Sequence, residues 1–198
     1  MHTHRLYYKN AFWSSFIYIF IVNILLTIII VLLVLGIAYY IYRQVIWSKI
    51  NNRYAQSHFK AAIEEIDKLY KYATPLMRKK MLIYKTSSAF LINNLDLFLE
   101  CVNKINKKSL SYGEYYYYYM IAYCLKIEDY KKAEELYGIL TTKFKVSKEL
   151  DLVTPLAILM AQKGDEKAYK KLRELKRNNH IDTTFVLVAN DYIKKNKR

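Results

Sequence analysis

Side chains that could carry catalytic chemistry are few in this chain and lie far apart. The two cysteines, Cys101 and Cys124, have no histidine near them in sequence to activate a thiol nucleophile. No His-Glu-x-x-His metal motif, glycine-rich phosphate loop or nucleophile elbow occurs. The histidines, none of which pairs with another at metal-ligand spacing on one predicted helix, are His2, His4, His58 and His180. The sequence therefore predicts no enzyme, no cofactor and no metal site.

Tyrosine is the more informative residue type, because the chain has 21 tyrosines and five of them are consecutive at 115–119. On a helix, five consecutive residues point in every direction around the axis. Some of these rings must pack inside the protein, and others are left to face solvent or a partner. The composition leaves both roles open.

The elements that position these residues begin with an uncharged stretch of 33 residues at 10–42. A helix that spans a bilayer needs about 20 apolar residues. We predict a short polar N-terminus at 1–10 and one transmembrane helix at 11–43, with its spanning core near 16–38. A cleaved signal peptide has an apolar region of only about 7 to 15 residues. The sequence therefore favours a retained anchor.

Two polar residues, Asn23 and Thr27, lie one helical turn apart inside the predicted span. In lipid they could bond a partner helix and hold an oligomer together. Alternatively, Thr27 bonds its own backbone and Asn23 lies at a shallow depth. Both interpretations stay open.

Basic residues that flank the span predict its orientation. Those before it are Arg5 and Lys9, and those after it are Arg43, Lys49, Arg53 and Lys60. The excess after the span predicts a single-pass protein of the cell membrane with a cytoplasmic C-terminal domain. All 17 acidic residues and 30 of the 32 basic residues follow residue 42, so that domain is strongly basic.

Beyond the span the sequence predicts helices and no strands. Only three glycines and two prolines occur there, and no strand-like alternation of useful length is present. We predict a juxtamembrane helix or linker at 44–57 and a helical domain at 58–198. The predicted helices cover 44–56, 58–72, 76–92, 95–107, 112–127, 130–144, 148–163, 166–178 and 182–195.

Capping signals support several of these boundaries. Thr74 followed by proline predicts a helix start, and Ser111 with Glu114 matches a capping box. Gly164 predicts a helix end. Pro155 either kinks the helix from 148 or begins a shorter helix capped by the preceding threonine.

Residues 117–137 resemble a tetratricopeptide repeat. Asp129 and Tyr130, then Ala133, then Tyr137 four positions later match the second-helix signature of that family. The small residue lets two helices approach closely, and the aromatic ring fills the adjacent space.

The same position recurs more weakly in neighbouring hairpins, at Ala62, Leu99 and Ala168. With the alanine of the clearest repeat, the intervals are 37, 34 and 35 residues, and the family period is about 34. The chain departs from the family at Ile121, where a small first-helix residue is expected unless Ala122 takes that place. The repeat-ending proline is also missing.

This resemblance implies an all-α fold in which an α-solenoid of about three to four helical hairpins follows the transmembrane helix. The last predicted helix would be a terminal cap. In such a stack the first helices line a concave groove that holds a peptide or a partner helix. The family spacing assigns Tyr115, Tyr118 and Lys126 to the groove, with Met81 and Tyr84 in the same register one period earlier. Packing of these tyrosines in the core is the alternative.

The sequence favours a membrane-anchored scaffold that binds a partner protein or peptide in this groove. An alternative is a basic membrane-associated domain that binds anionic lipid or nucleic acid. The basic residues are spread along the chain and match no nucleic-acid-binding motif, so no specific nucleic acid is predicted. A third hypothesis is a membrane-associated enzyme or immunity-type factor without a sequence signature.

Overall fold

The computed structural model describes the backbone of residues 2–196 and the side chains of Tyr18 and of residues 20–196. In this part of the chain every regular element is a helix, as predicted, and no strand occurs. The helices are α1 (His2–Ala55), α2 (Phe59–Tyr70), α3 (Pro75–Leu91), α4 (Leu95–Asn103), α5 (Gly113–Lys126), α6 (Tyr130–Lys143), α7 (Val153–Gln162), α8 (Glu166–Arg177) and α9 (Thr183–Lys195). The chain divides into two compact units, residues 1–49 and 50–198.

The first unit is the N-terminal part of α1. The segment Phe20–Ala55 is long and apolar enough to cross a membrane, with a mean hydropathy of 3.2 over its most apolar window and no residue of that window buried. Thr27 Oγ1 donates a hydrogen bond to the Asn23 carbonyl oxygen at 2.8 Å. The threonine therefore satisfies its hydroxyl within its own helix. The helix runs without a break to Ala55, so most of the predicted juxtamembrane segment continues α1.

Helices of the second unit pack as hairpins, α3 with α4, α5 with α6 and α7 with α8, and α2 also packs on α3. The small residues expected between paired helices are fully buried at Ala62 and Ala133. Leu99 and Ala168, at the weaker positions, are only partly buried. The clearest match to the repeat signature is thus a position that is fully buried between paired helices.

One type of turn recurs after successive helices of the second unit. The residues in the left-handed region are Ser57 (φ 59°), Asn93 (φ 59°), Glu128 (φ 64°), Gly164 (φ 92°) and Asn179 (φ 54°). The next residue donates its N–H to a carbonyl five positions earlier in five bonds: His58 to Arg53 (2.9 Å), Asn94 to Ala89 (2.9 Å), Asp129 to Cys124 (2.9 Å), Asp165 to Met160 (3.2 Å) and His180 to Leu175 (2.9 Å). This is the Schellman pattern of helix ends. The turns after α1, α3, α5 and α7 are spaced 36, 35 and 36 positions apart, whereas the turn after α8 follows only 15 positions later.

Two of the predicted caps are confirmed. Thr74 accepts a hydrogen bond from the Met77 N–H at 3.4 Å, with proline at the first helical position. Gly164 ends α7 with a positive φ, as a helix-ending glycine should. Pro155 lies in the first turn of a short helix, which begins at Val153 and is capped by Asp151. The shorter of the two helices considered for this region is therefore the observed one, although its cap is Asp151 and not Thr154.

The predicted capping box at Ser111 and Glu114 is wrong. Tyr112 precedes α5 and makes no side-chain capping bond. Glu114 is buried, and its Oε2 atom accepts the Ser147 N–H at 2.9 Å, 33 residues away. A β-carbon at Gly113 would lie 2.8 Å from the Lys107 carbonyl oxygen. The glycine in this motif therefore permits a close backbone approach, and the glutamate holds a distant loop.

Helix α9 does not simply cap the last hairpin. A terminal cap would contact α7 and α8 alone, whereas α9 also packs against α3 and α5. It therefore lies across the first helices of three successive hairpins.

We predict opposite effects of adding one methyl group at two glycines. Gly138→Ala, in the exposed interior of α6, meets no atom within 4 Å and should raise the unfolding free energy by about 1 kcal/mol. Gly164→Ala must adopt φ +92° and should lower it by about 1 to 2 kcal/mol. Chemical denaturation of the detergent-solubilised chain measures both values. A Gly164→Ala variant as stable as wild type would contradict the proposed role of the left-handed turn.

Candidate functional site

Helix α9 is amphipathic, and its apolar side faces the other helices. Its buried residues are Thr184, Phe185, Val188, Ala189, Tyr192 and Ile193. Their spacing of three to four residues forms one continuous face. Val186 and Asp191, on the opposite side, are exposed. We call the surfaces of α3, α5 and α7 that contact this helix the α9-binding face.

Aromatic and hydroxyl contacts join α9 to this face. The Phe185 ring lies edge-on to the Tyr118 ring of α5, with 5.1 Å between centroids and an interplanar angle of 88°. Thr184 Oγ1 lies 3.5 Å from Ser87 Oγ of α3, which in turn lies 2.7 Å from the Tyr54 hydroxyl. An edge-to-face pair contributes about 0.5 to 1.5 kcal/mol beyond its buried area. The face therefore combines an apolar surface with hydroxyl groups that fix the register of the helix on it.

Asp151 links the start of α9 to the start of α7. Its Oδ1 atom accepts the N–H groups of Val153 and Thr154, at 2.9 and 3.0 Å. Its Oδ2 atom accepts the Thr154 hydroxyl at 2.5 Å and the Asp182 N–H at 3.2 Å. Asp182 then caps α9 by accepting the Thr184 N–H at 2.8 Å. One carboxylate thus organises both helix starts, a contact between distant residues that no local motif predicts.

The Tyr118 hydroxyl is buried, and among the described residues it makes no hydrogen bond of normal geometry. Burial raises the pKa of Tyr118 well above its usual range, and the nearby Asp182 carboxylate raises it further. The phenol therefore stays neutral. The Asp182 carboxylate is close enough to act on the hydroxyl but does not meet the geometry of a normal hydrogen bond. Part of the cost of burying a polar group, about 1 to 3 kcal/mol when no partner is present, therefore stays uncompensated.

The five predicted partner-binding residues do not form one open surface. Met81 and Tyr118 are buried in the core, which agrees with packing, the alternative role considered for the tyrosines. Tyr84 and Tyr115 are partly exposed. Burial raises the pKa of each, and the Glu149 carboxylate is the next cause in both.

Lys126 is the last residue of α5. Its ammonium lies 5.4 Å from the centre of the Phe90 ring. It also lines a cavity of about 40 Å³ together with Val188 and Tyr192 of α9. Tyr118 therefore lies under α9 and Lys126 lies beside it, because this helix covers part of the surface that the repeat register left open.

The residues that sequence reasoning missed are those of α9 itself. Phe185, Val188 and Tyr192 follow the helical apolar spacing, so their helix and its buried side were detectable. The surface that they cover was not, because it is assembled from three helices distant in sequence.

Groups suited to metal or thiol chemistry are not assembled in the described residues. No cluster of three or more histidine, cysteine or carboxylate side chains that could hold a metal ion occurs among them. Burial raises the pKa of the thiols of Cys101 and Cys124 above the ordinary value. Both thiols thus lack the thiolate character of a reactive cysteine.

No protein-family model, curated protein or solved structure matches this chain. The arguments for its function therefore rest on its own residues and their contacts.

Two substitutions at Tyr118 should separate its ring from its hydroxyl. Tyr118→Phe keeps the ring against Phe185 and removes the unpaired hydroxyl, so we expect unfolding free energy to rise by about 1 kcal/mol. Tyr118→Ala leaves a cavity and should lower it by about 3 to 5 kcal/mol. Thermal and chemical denaturation of the full chain measure both changes. Destabilisation by Tyr118→Phe would show that the hydroxyl makes a favourable bond.

Proposed function

We propose that this protein is a single-pass, membrane-anchored helical scaffold that binds a helical segment of a partner protein on its α9-binding face. The observation that carries this proposal is that the face already accommodates an amphipathic helix, α9. The partner helix takes the place of α9, and the scaffold itself performs no catalysis.

Repetition in the second unit supports a stack of hairpins of the tetratricopeptide type. The left-handed turns after α1, α3, α5 and α7 recur at intervals of 36, 35 and 36 residues, close to the family period of about 34. Each repeat in such a stack buries its apolar face on its neighbours, which leaves the surface of the first helices free for ligands. In this chain the corresponding surface is that of α3, α5 and α7.

The sequence of α9 indicates the chemistry of a competing helix. It would present an aromatic residue at the position of Phe185, a small residue at Ala189 and a second aromatic residue at Tyr192, since these sites are buried on the face. A hydrogen-bond acceptor aimed at the Tyr118 hydroxyl would form the well-aligned bond that this group lacks when α9 is in place. A ligand that pairs this hydroxyl would gain specificity over one that does not.

Competition with α9 sets the affinity that a partner needs. A tethered helix competes at an effective concentration of about millimolar order. The face therefore opens only to a ligand with a well-matched apolar side, or when the hold on α9 is weakened. Binding is therefore selective, because weak or poorly matched helices cannot displace α9.

The anchor and its orientation complete the proposal. Apolar residues of α1 span the membrane, and the second unit lies in the cytoplasm, as the flanking charges favour. We predict that Lys131→Cys, at an exposed position of α6, reacts with a membrane-impermeant maleimide only after cells are permeabilised. Wild type provides the background, because both native cysteines are buried. Labelling of intact cells would place the domain outside.

A reversible lock on α9 tests whether the face must open. Ser87 Oγ and Thr184 Oγ1 are 3.5 Å apart, so Ser87→Cys with Thr184→Cys needs only a small shift to reach the sulfur–sulfur bond length of about 2.05 Å. We expect the oxidised double variant to recover no partner from detergent-solubilised membranes, and the reduced form of the same sample to recover it. The two single-cysteine variants, treated with the same oxidant, are the controls. Equal recovery in both redox states would rule out displacement of α9.

A defined ligand gives the same test a second readout. A fluorescent peptide of residues 180–196 should bind a chain whose own α9 is weakened by Phe185→Ala, because that change reduces docking by about 100-fold or more. Val186→Ala, on the exposed side of α9, should leave the peptide excluded. Circular dichroism checks that each variant keeps its helices, and the milder Phe185→Leu replaces Phe185→Ala if the latter unfolds. Exclusion of the peptide from every folded variant would contradict a displaceable helix.

A further inference from the structure

Two connections between helices carry exposed apolar and basic side chains together. The first is the segment 68–80, which comprises the end of α2, the connection to α3 and the start of α3, and in which Tyr72 and Leu76 are 64% and 48% exposed. The second is the segment 104–112 between α4 and α5, where Leu110 is 91% exposed. We call these two segments together the basic edge.

Positive charge dominates both segments. No aspartate or glutamate occurs in either one. Their exposed basic residues are Lys68, Lys71, Arg78, Lys79, Lys80, Lys104, Lys107 and Lys108. One of these, Lys104, forms an exposed ion pair with Glu100 at 2.6 Å. Together the two segments carry eight basic residues and no acidic residue.

The two segments adjoin each other in the fold. The Lys79 ammonium lies 5.4 Å from the centre of the Tyr112 ring. A cavity of about 120 Å³ between them is lined by Lys79, Leu82, Lys104 and Tyr112, among others. The two segments therefore form one surface, and Leu82, further along α3, lines it as well.

Internal contacts hold the first segment in a fixed conformation. The Arg78 guanidinium donates to the carbonyl oxygens of Tyr70 and Lys71, each at 3.1 Å, and so closes the C-terminal end of α2. Ala73 and Met77 are buried. The Tyr72 and Leu76 side chains, which alternate with these anchors, remain outside. These contacts therefore hold the Tyr72 and Leu76 side chains and the neighbouring lysines on the outside of an ordered turn.

An anionic bilayer surface fits this combination of groups. Tyrosine and leucine side chains enter the headgroup region, where an apolar body and a polar tip are both satisfied. Lysine side chains are attracted to the negative potential of anionic lipids. Nucleic acid would use the charge, but it offers no apolar layer for Leu76 and Leu110.

We propose that the basic edge is a second membrane contact, which docks on anionic lipid headgroups with Tyr72, Leu76 and Leu110 in the interfacial layer. This inference rests on the proposed membrane anchor. The anchor attaches the second unit to the same bilayer, so docking of the edge is an intramolecular step for which even a weak surface attraction suffices.

The full chain in lipid vesicles provides the test. Tyr72→Cys carries an environment-sensitive fluorophore, and the chain is reconstituted either in phosphatidylcholine or in a mixture with phosphatidylglycerol. We expect a blue-shifted emission and protection from iodide quenching only in the mixture, both reversed by high salt. The matched control is Ile127→Cys with the same label, since Ile127 is 49% exposed beside Glu128 and Asp129. Its emission should be the same in both vesicles.

Charge reversal separates electrostatic docking from a nonspecific effect of the label. Lys71→Glu with Lys108→Glu should abolish the blue shift, because each charge removed weakens docking by about fivefold. Lys131→Glu with Lys170→Glu changes the net charge equally at exposed sites outside the edge and should preserve it. A blue shift that survives the first pair, or that is equal in phosphatidylcholine, would overturn the inference.

Flotation distinguishes failure of the edge from failure of the anchor. If the wild-type chain does not float with either vesicle, the anchor itself is absent and the proposed function fails with it. If the chain floats but the label at residue 72 stays quenched in both vesicles, the anchor stands and the basic edge is not a lipid contact. Protection of the label by an RNA oligonucleotide but not by anionic vesicles would assign the edge to nucleic acid.

Discussion

The packing of α9 across α3, α5 and α7 is the contact on which the arrangement of the second unit depends. Hairpins that contact only their sequence neighbours would be free to bend along the stack. Here one helix from the end of the chain touches the first helix of three successive hairpins. Phe185 on Tyr118 and Thr184 on Ser87 place that helix in one register. The second unit is therefore closed by a long-range contact that the local repeats do not supply.

Local signals predicted most of the helices, because helix ends are decided by neighbouring residues. Thr74, Gly164 and the residues around them satisfy backbone groups within one turn, so a short segment contains the whole cause. The predicted capping box at Glu114 failed for the opposite reason. Its carboxylate accepts the Ser147 N–H, 33 residues away, so a donor far along the chain replaced the local one. Asp151, which joins the starts of α7 and α9, escaped prediction for the same reason.

The candidate site residues were assigned from the repeat register, and what the register can predict has a definite physical limit. Repeat register can assign Tyr115, Tyr118 and Lys126 to one side of α5, since that depends on helical geometry alone. It cannot tell which element covers that side, since coverage depends on the summed shape of three helices. The apolar face of α9 was visible in the sequence, and a buried helix face always requires a surface of matching area. The sequence therefore indicated both the side of α5 and the apolar face of α9. It did not indicate that these two surfaces pack against each other.

In the proposed function, the buried Tyr118 hydroxyl relates the stability of the closed state to the selectivity for a partner helix. With α9 in place this hydroxyl makes no hydrogen bond of normal geometry, so the closed state forfeits part of the free energy that its apolar contacts provide. A competing helix with the same apolar pattern and one well-placed acceptor would recover that loss. Since α9 and such a competitor would bury equivalent apolar area, the difference between their binding free energies would be determined by the polar groups and by the tether. We therefore propose Tyr118 as the residue at which the face would distinguish one partner helix from another.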